Sequence, residues 1–283
     1  QSVSAQPASQ PRPAIQPVPK PQPPQLPQTM QYLYGSGEAA ALSIQAYNGL
    51  VGFARTQVGK RPADSVILAD SSTLDAPSFV PCGNKPFAAV FDVDETMILN
   101  LGYEWHGAQS GSNFDSESWS RWEKSGADKV APVPGALAAV NALRQMGVTV
   151  IFNTNRSSAN AEQTAAAIKF AGLGDVVHRE TLFLAGDDAM GSKKDGRRAT
   201  IAAKYCVIAL GGDQLGDFTD LFNQDGMNAT GRRMETMGGW ASPLWGRGWF
   251  VLPNPVYGSG LKGTADEIFP MDKRWTDSTG ETK

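Results

Sequence analysis

Two aspartates that follow an apolar run have the type and spacing needed for joint chemistry. The run covers residues 87–91 and predicts a buried strand, and Asp92 and Asp94 come directly after it. Side chains two residues apart on an extended chain point to the same side, so the two carboxylates should lie together. Their repulsion calls for a compensating cation, and Mg²⁺ prefers carboxylate, water and phosphate oxygens. For Asp-x-Asp-x-Thr alone, the alternative is an N-cap or turn after a core strand.

Three further polar clusters follow predicted strands or precede a predicted helix. Thr154 and Asn155 follow the strand 148–152, where a hydroxyl and backbone N–H groups could seat a phosphate; the alternative is a simple N-cap turn. The basic cluster 191–198 leads into a predicted helix, and a solvated run of charge is its default interpretation. Asp213 and Asp217 follow the strand 206–210. Carboxylates and phosphate-binding groups are therefore expected at one edge of a sheet.

The elements that must position these residues alternate between strand and helix. This order predicts an α/β fold, with a Rossmann-like parallel sheet and helices on both faces. Ligands bind beyond the carboxyl ends of the strands in such sheets, which is where the polar clusters fall. Two helices before and between the strands are predicted to bury one face each, formed by Leu42, Ala46 and Leu50 in the first and by Leu137, Val140 and Leu143 in the second.

Composition excludes several classes of protein. The 283 residues carry a net charge of −3, so neither a nucleic-acid polymer nor an anionic membrane is expected as a partner. No apolar run is long enough to span a bilayer. Only two histidines are present, which argues against a zinc hydrolase or a Ser-His-Asp triad. Cys82 and Cys206 could form a disulfide or remain buried thiols, and the apolar strand around Cys206 favours a thiol there.

The first 29 residues differ from the rest of the chain. They hold nine of the 19 prolines, with many glutamines, and predict a disordered linker; a ligand for a proline-binding domain is the alternative. Residues 30–283 are predicted to form one domain, with a small, mainly helical cap inserted around 97–132. Because the chain begins with Gln rather than Met, we expect a mature or a trimmed form. A removed signal peptide followed by the Pro-rich tether favours a periplasmic or secreted location in a bacterium.

The ordered clusters resemble the four motifs of the haloacid dehalogenase (HAD) superfamily of aspartate-nucleophile phosphatases. The closer resemblance is to the class C bacterial acid phosphatases, the lipoprotein e (P4)-like branch, over roughly residues 31–265. It rests on the segments 91–96, 103–105, 154–156, 212–218 and 250–258, together with a basic residue that matches the third motif. Lys193 or Lys194 could be that residue, and the family's Lys-x-x-Arg spacing to Arg197 favours Lys194.

The resemblance implies a Mg²⁺-dependent acid phosphatase that hydrolyses phosphate monoesters, including nucleoside 5′-monophosphates, through an aspartyl-phosphate. Asp92 would be the nucleophile and Asp94 the general acid and base. By resemblance, the phosphate would be bound by Thr154, Asn155 and Lys194, and the metal would be held by Asp92, Asp94 through its backbone carbonyl, Asp213 and Asp217. Tyr103 and Trp105 are candidates to stack on the substrate, and ordinary packing is the alternative. The alternative is a non-catalytic storage or surface-binding protein on the same fold. A homodimer is left open.

Overall fold

A computed structural model of the chain describes residues 25–112 and 114–277. Its centre is a five-stranded sheet in the order β7-β6-β3-β8-β9, in which every neighbouring pair is parallel. The strands are β1 (Asp64–Leu68), β2 (Phe79–Pro81), β3 (Phe87–Phe91), β4 (Ile98–Leu99), β5 (Ala131–Pro132), β6 (Thr149–Ser157), β7 (Leu182–Ala185), β8 (Cys206–Gly212) and β9 (Trp249–Val251). The helices are α1 (Gln28–Gly35), α2 (Gly37–Gly59), α3 (Leu101–Ser110), α4 (Ser116–Ser125), α5 (Ala136–Gln145), α6 (Ala161–Phe170), α7 (Asp195–Lys204), α8 (Ala229–Met237) and α9 (Ala265–Ile268).

The central sheet is covered on both faces. Alternate residues of β3 enter different cores, with Ala89 and Phe91 on one face and Ala88 and Val90 on the other. Helices α2, α5 and α6 pack on the first face, while α7 and the antiparallel pair β1–β2 pack on the second. Strands buried on both sides are apolar throughout, which is why they stand out as continuous runs in the sequence. The predicted fold class is confirmed.

The buried face of α2 differs from the prediction. Leu42 is 44% exposed and only Leu50 of the predicted stripe is fully buried. The buried residues are Ala39, Ser43, Tyr47, Leu50 and Ala54. Small side chains bring this helix close to the sheet, and the Tyr47 hydroxyl donates to the Thr96 carbonyl at 2.5 Å. Leu137 on α5 was also placed wrongly in the core, since it is 37% exposed while Val140 and Leu143 are buried.

The insertion predicted as a cap begins and ends in a short ribbon. Strands β4 and β5 pair antiparallel, with Ile98 opposite Pro132. Helices α3 and α4 lie between them, and α4 carries Trp119 and Trp122. The Trp122 ring occupies the space beside Gly102 and Gly126, where a β-carbon would come within 3 Å of it. The Trp122 ring therefore fills the space between α3 and the end of α4.

The predicted linker lies mostly outside the described residues. Helix α1 begins at Gln28 and so overlaps the last two residues of the range 1–29. The Tyr34 hydroxyl at the end of this helix donates to Glu95 Oε1 at 3.3 Å. The division into a linker and one domain remains a prediction. None of the helices in the described part of the chain has the length and apolar character that crossing a membrane requires.

A disulfide joins Cys82 to Cys206, and the expected buried thiol at Cys206 was therefore wrong. The two residues are 124 apart in sequence, but Phe87 pairs with Cys206 in the sheet and the turn after β2 brings Cys82 alongside. The Cα atoms are 4.5 Å apart and both side chains are fully buried. Sequence alone could not show that these two cysteines meet, because their proximity depends on the order of strands in the sheet.

Reduction of this disulfide is expected to lower the free energy of unfolding by about 2–4 kcal/mol, since it releases a long closed loop in the unfolded chain. The check is the midpoint of thermal unfolding with and without a thiol reductant. The Cys82→Ala/Cys206→Ala variant is the control and should show no reductant effect. An unchanged wild-type midpoint after the thiols are shown to be free would contradict this expectation.

Candidate active site

Three carboxylates and one ammonium group meet at the carboxyl edge of the sheet. Asp92 follows β3, Asp213 follows β8, Asp217 lies in the short turn after it, and Lys194 precedes α7. Lys194 Nζ donates to Asp92 Oδ1 at 2.5 Å and to Asp217 Oδ1 at 2.6 Å. All four side chains are buried, whereas the neighbouring Lys193 is exposed. The structure thus places Lys194, and not Lys193, among the carboxylates.

The sheet brings these groups together. Asp92 N–H donates to the Gly211 carbonyl at 3.0 Å, so the two adjacent parallel strands β3 and β8 end at the same level. Asp217 then folds back beneath the end of β8. A β-carbon on Gly212 would lie 2.2 Å from the β-carbon of Asp217, so only glycine leaves room for this approach.

Asp213 is fixed by three donors. Thr96 Oγ1 donates to its Oδ1 at 2.8 Å, while Gln214 Nε2 at 2.9 Å and Asn254 Nδ2 at 2.8 Å donate to its Oδ2. Burial and the nearby Asp217 carboxylate raise the pKa of Asp213 from 3.8 to about 6, although these three hydrogen bonds oppose the shift. The side chain is therefore held in one orientation despite a cost to its charged form.

The balance of charge in this cluster favours a bound cation. Burial raises the pKa of Asp92 well above its usual value; Lys194 opposes the shift, while Asp217 and Asp213 add to it. Burial lowers the pKa of Lys194, but its two carboxylate partners more than offset this and raise it, so Lys194 is an ammonium group. One ammonium group against three carboxylates leaves an excess of negative charge in a buried site.

The donor set fits a divalent metal ion. Asp92, Asp213 and Asp217 each offer one oxygen, and these three oxygens lie within 4.8 Å of one another. Buried carboxylate oxygens are the ligands that Mg²⁺ and similar hard cations prefer, and such a cation would neutralise the excess charge. These side chains could therefore hold a divalent cation between β3 and β8.

Asp94 lies beside this cluster with its two oxygens in different surroundings. Its Oδ1 accepts from Arg156 Nη2 at 2.7 Å, Arg156 Nε at 2.9 Å and Asn100 Nδ2 at 2.9 Å. Its Oδ2 has only longer contacts, with Arg156 Nε at 3.2 Å and Thr154 Oγ1 at 3.4 Å. Since Oδ1 is saturated by donors, Oδ2 is the oxygen free to carry and transfer a proton.

Arg156 and Asn100 were given no role from the sequence. Arg156 is 2% exposed, and its Nη2 also donates to Asn100 Oδ1 at 2.8 Å, so the two residues form one support under Asp94. A signal was present for Arg156, because residues two apart on a strand face the same side and Thr154 was already a candidate. No local pattern marks Asn100, which follows β4 and contacts Asp94 in the turn after β3.

Glu95 closes the turn that presents Asp92 and Asp94, and sequence reasoning missed it too. Its backbone has φ of 53°, in the left-handed region that a residue with a side chain rarely adopts. Its carboxylate accepts hydrogen bonds from Tyr257, Tyr34 and the Asn100 backbone N–H. Burial and the neighbouring Asp94 raise the pKa of Glu95 to about 8, against the effect of Tyr257. These contacts hold the strained turn in place.

The basic cluster 191–198 is not the solvated run of charge that was its default interpretation. Lys194, Arg197 and Arg198 are all buried. Arg197 donates to the Thr154 carbonyl, and Arg198 Nη1 donates to the Asp217 carbonyl at 2.9 Å. The cluster thus ties the start of α7 to the ends of β6 and β8, and it presents only Lys194 to the carboxylates.

The predicted phosphate-binding residues occupy different surroundings. Thr154 is fully buried, and its hydroxyl lies 3.4 Å from Asp94 Oδ2. The side chain of Asn155 is directed to the loop before α7, where its Nδ2 donates to the Ser192 carbonyl at 3.0 Å and its Oδ1 accepts from Arg197 at 2.6 Å. Thr154 therefore lies next to the acidic cluster, while the Asn155 amide has structural partners already.

The two predicted substrate-binding aromatics lie on α3 of the cap. The ring of Tyr103 packs edge-on against Trp119 at 4.9 Å and lies 6.1 Å from Trp122. Trp105 is 49% exposed. Tyr103 is thus one member of a wall of aromatic rings, and Trp105 presents half of its surface to solvent.

Comparisons with known proteins find a matching family model and a curated relative. The family model described as HAD superfamily, subfamily IIIB (acid phosphatase) matches residues 51–260. A curated relative, acid phosphatase 1 from Solanum lycopersicum, is 29% identical over 134 residues, which are 45% of this chain and 50% of the relative. The match therefore spans about half the length of that relative.

Solved structures share the fold. The class C acid phosphatase from Bacillus anthracis superposes with a TM-score of 0.66 at 21% identity, over 82% of this chain and 85% of that one. A second structure of the Bacillus anthracis enzyme, with tungstate bound, gives a TM-score of 0.66 at 20% identity, over 85% of this chain and 92% of that one. At these identities the likeness establishes the arrangement of the elements.

Proposed function

Because the chain belongs to the HAD superfamily, subfamily IIIB (acid phosphatase), we propose that it hydrolyses phosphate monoesters with Mg²⁺ as its cofactor. The observation that carries this proposal is the placement of the Asp92 carboxylate. It is held by Lys194 on one side and flanked by two further carboxylates that fit a divalent cation. Asp94, with one free oxygen, lies two residues away on the same turn. This is the set of groups that phosphoryl transfer through a covalent aspartyl-phosphate requires.

Asp92 is the proposed nucleophile. One of its carboxylate oxygens attacks phosphorus, and the bond to the leaving oxygen breaks as the aspartyl-phosphate forms. Lys194 fixes the carboxylate through Oδ1 and supplies a positive charge beside the transferring phosphoryl group. The Thr154 hydroxyl, which lies 3.4 Å from Asp94 Oδ2, would donate to a phosphoryl oxygen. A bound Mg²⁺ would be held by Asp92, the Asp94 backbone carbonyl and Asp213 with Asp217 in support, and it would offset the repulsion between an anionic nucleophile and an anionic ester.

Asp94 is the proposed general acid and base. In the first step its Oδ2 gives a proton to the departing alkoxide, which leaves as an alcohol. In the second step the same oxygen takes a proton from the water that attacks the phosphorus of the aspartyl-phosphate, and Asp92 is released. Arg156 and Asn100 hold Oδ1 throughout, so the proton-carrying oxygen keeps its direction.

Nucleoside 5′-monophosphates are proposed among the substrates. Support comes from the aromatic side chains of the cap, since Tyr103 and Trp105 lie on the helix that follows the nucleophile turn, and rings of this kind stack on bases.

We further propose a periplasmic or secreted location. The disulfide between Cys82 and Cys206 supports it, because structural disulfides persist in oxidising compartments.

The test is phosphate release from p-nitrophenyl phosphate and from nucleoside 5′-monophosphates at mildly acidic pH, with Mg²⁺ or with a chelator. We expect turnover of both classes that is lost with the chelator and regained with added Mg²⁺. Ribose 5-phosphate is the matched control for the base, and a lower kcat/KM on it would support stacking. Absence of turnover on every ester in the presence of Mg²⁺ would contradict the proposal and favour the non-catalytic alternative.

A further inference from the structure

Glu123 is a buried carboxylate of the cap helix α4 that none of the proposed chemical steps uses. It is 2% exposed. Its Oε1 accepts from Trp119 Nε1 at 2.7 Å, its Oε2 accepts from Asn160 Nδ2 at 2.6 Å, and the Ser157 backbone N–H lies 3.2 Å from both oxygens. Two of these partners belong to the end of β6 and the turn before α6. Glu123 therefore connects the cap to the sheet.

The chemistry of this contact suits only a carboxylate. All three partners donate hydrogen bonds, and an ionised carboxyl group is the side chain that accepts without donating. An amide at this position would direct its own N–H groups at one of these donors. Because a buried carboxylate without partners is costly, α4 can dock on β6 favourably only in the arrangement that supplies these donors.

Helix α4, docked in this way, contacts both Arg156 and Asn100, the two residues that hold Asp94. The ring of Trp119 lies 5.6 Å from the Arg156 guanidinium, and Trp122 Nε1 donates to Asn100 Oδ1 at 3.1 Å. Ser157, whose N–H Glu123 accepts, is the residue directly after Arg156. Burial lowers the pKa of Arg156, but Asp94 and then Glu123 more than offset this and raise it, so Arg156 stays charged between the two carboxylates.

We propose that Glu123 is a positioning residue that fastens α4 of the cap to the end of β6 and, through Trp119 and Arg156, sets the orientation of Asp94. This inference rests on the proposed phosphatase function. Correct docking of the cap is thereby linked to the alignment of the general acid. A loosened cap would let Arg156 shift, and Asp94 Oδ2 would no longer point at the leaving oxygen.

The leaving group of the substrate supplies the test. A p-nitrophenolate departs with little help, whereas an alkoxide needs the proton from Asp94. In the Glu123→Gln variant we expect kcat/KM for glycerol 2-phosphate to fall roughly tenfold or more, a part of what general acid catalysis contributes, while kcat/KM for p-nitrophenyl phosphate falls less than about twofold. The matched control is Glu117→Gln, an exposed residue of the same helix, for which both values should equal those of the wild type.

Each outcome decides the proposal. An equal loss on both esters would show that Glu123 supports the structure of the site in general, and no loss on either would show that it positions nothing; both overturn the inference. If Glu123→Gln does not fold, Trp119→Phe, which removes the indole donor together with one of the two fused rings and keeps a phenyl ring beside Arg156, carries the same comparison. A wild type inactive on both esters would instead contradict the proposed function.

Discussion

The Asp92→Asn protein is expected to lose turnover by roughly 10⁴-fold or more, while it remains folded. The amide has the same shape and can still accept a hydrogen bond from Lys194, but it has no anionic oxygen to attack phosphorus. The thermal midpoint should not fall, because burial and two neighbouring carboxylates already disfavour a charge at this position. Initial rates on p-nitrophenyl phosphate with saturating Mg²⁺ measure the effect.

Two further variants make the Asp92 result specific. The asparagine of Asp92→Asn can deamidate back to aspartate and so restore some activity. Asp92→Ala cannot regain a carboxylate and therefore controls for this effect. Asp175→Asn changes a carboxylate whose side chain is 81% exposed, and it should leave the rate unchanged. Wild-type turnover in the Asp92→Asn and Asp92→Ala proteins would mean that another group attacks phosphorus.

The Asp213→Asn protein is expected to lose about 10²-fold or more in activity at low Mg²⁺, with partial recovery as the concentration rises. Asparagine keeps one acceptor for Gln214 and Asn254 and can donate to the Thr96 hydroxyl, so the local hydrogen bonds persist. What it removes is a charged ligand for the cation. Rates measured as a function of Mg²⁺ concentration give the shift in apparent affinity.

Stability gives a readout for Asp213 that does not depend on turnover. In metal-free protein the pKa of Asp213 is raised from 3.8 to about 6, so the folded chain binds more protons than the unfolded chain between these values. This group therefore makes the metal-free fold less stable as pH rises through that window, by up to about 3 kcal/mol. At a pH well above 6, added Mg²⁺ should raise the thermal midpoint of the wild type. It should raise the midpoint of Asp213→Asn much less. Equal shifts in the two proteins would exclude Asp213 as a ligand.

Much of the fold could be predicted because its sheet is parallel and buried. Strands covered on both faces are short apolar runs, and the polar residues after Phe91 and Gly212 show where two of them end. The helix faces were less accurate. Leu42 and Leu137 were assigned to the core by spacing alone, but small residues such as Ala39 and Ser43 determine how closely α2 approaches the sheet.

The sequence likewise indicated some residues of the site and not others. Asp92, Asp213 and Asp217 could be chosen from the sequence because each follows a strand, and Lys194 was preferred to Lys193 for its spacing to Arg197, as the family resemblance implies. The structure brings these four side chains together. The residues that hold them could not be chosen. Arg156 contacts Asp94 across 62 residues of sequence and Glu123 contacts Ser157 across 34, and no local pattern records such contacts. Asn100 is only six residues from Asp94, but their contact depends on the path of the chain between them. The disulfide was missed for the same reason.

The most direct test of the account is to trap the aspartyl-phosphate. The enzyme is mixed with excess p-nitrophenyl phosphate and Mg²⁺, quenched in acid within the first turnovers, reduced with borohydride and digested for mass spectrometry. An acyl phosphate is reduced to an alcohol, so homoserine is expected at position 92 in the wild type and none in Asp92→Asn. Homoserine at another aspartate would contradict Asp92 as the nucleophile. So would the absence of homoserine from an active enzyme under conditions in which the intermediate is shown to accumulate.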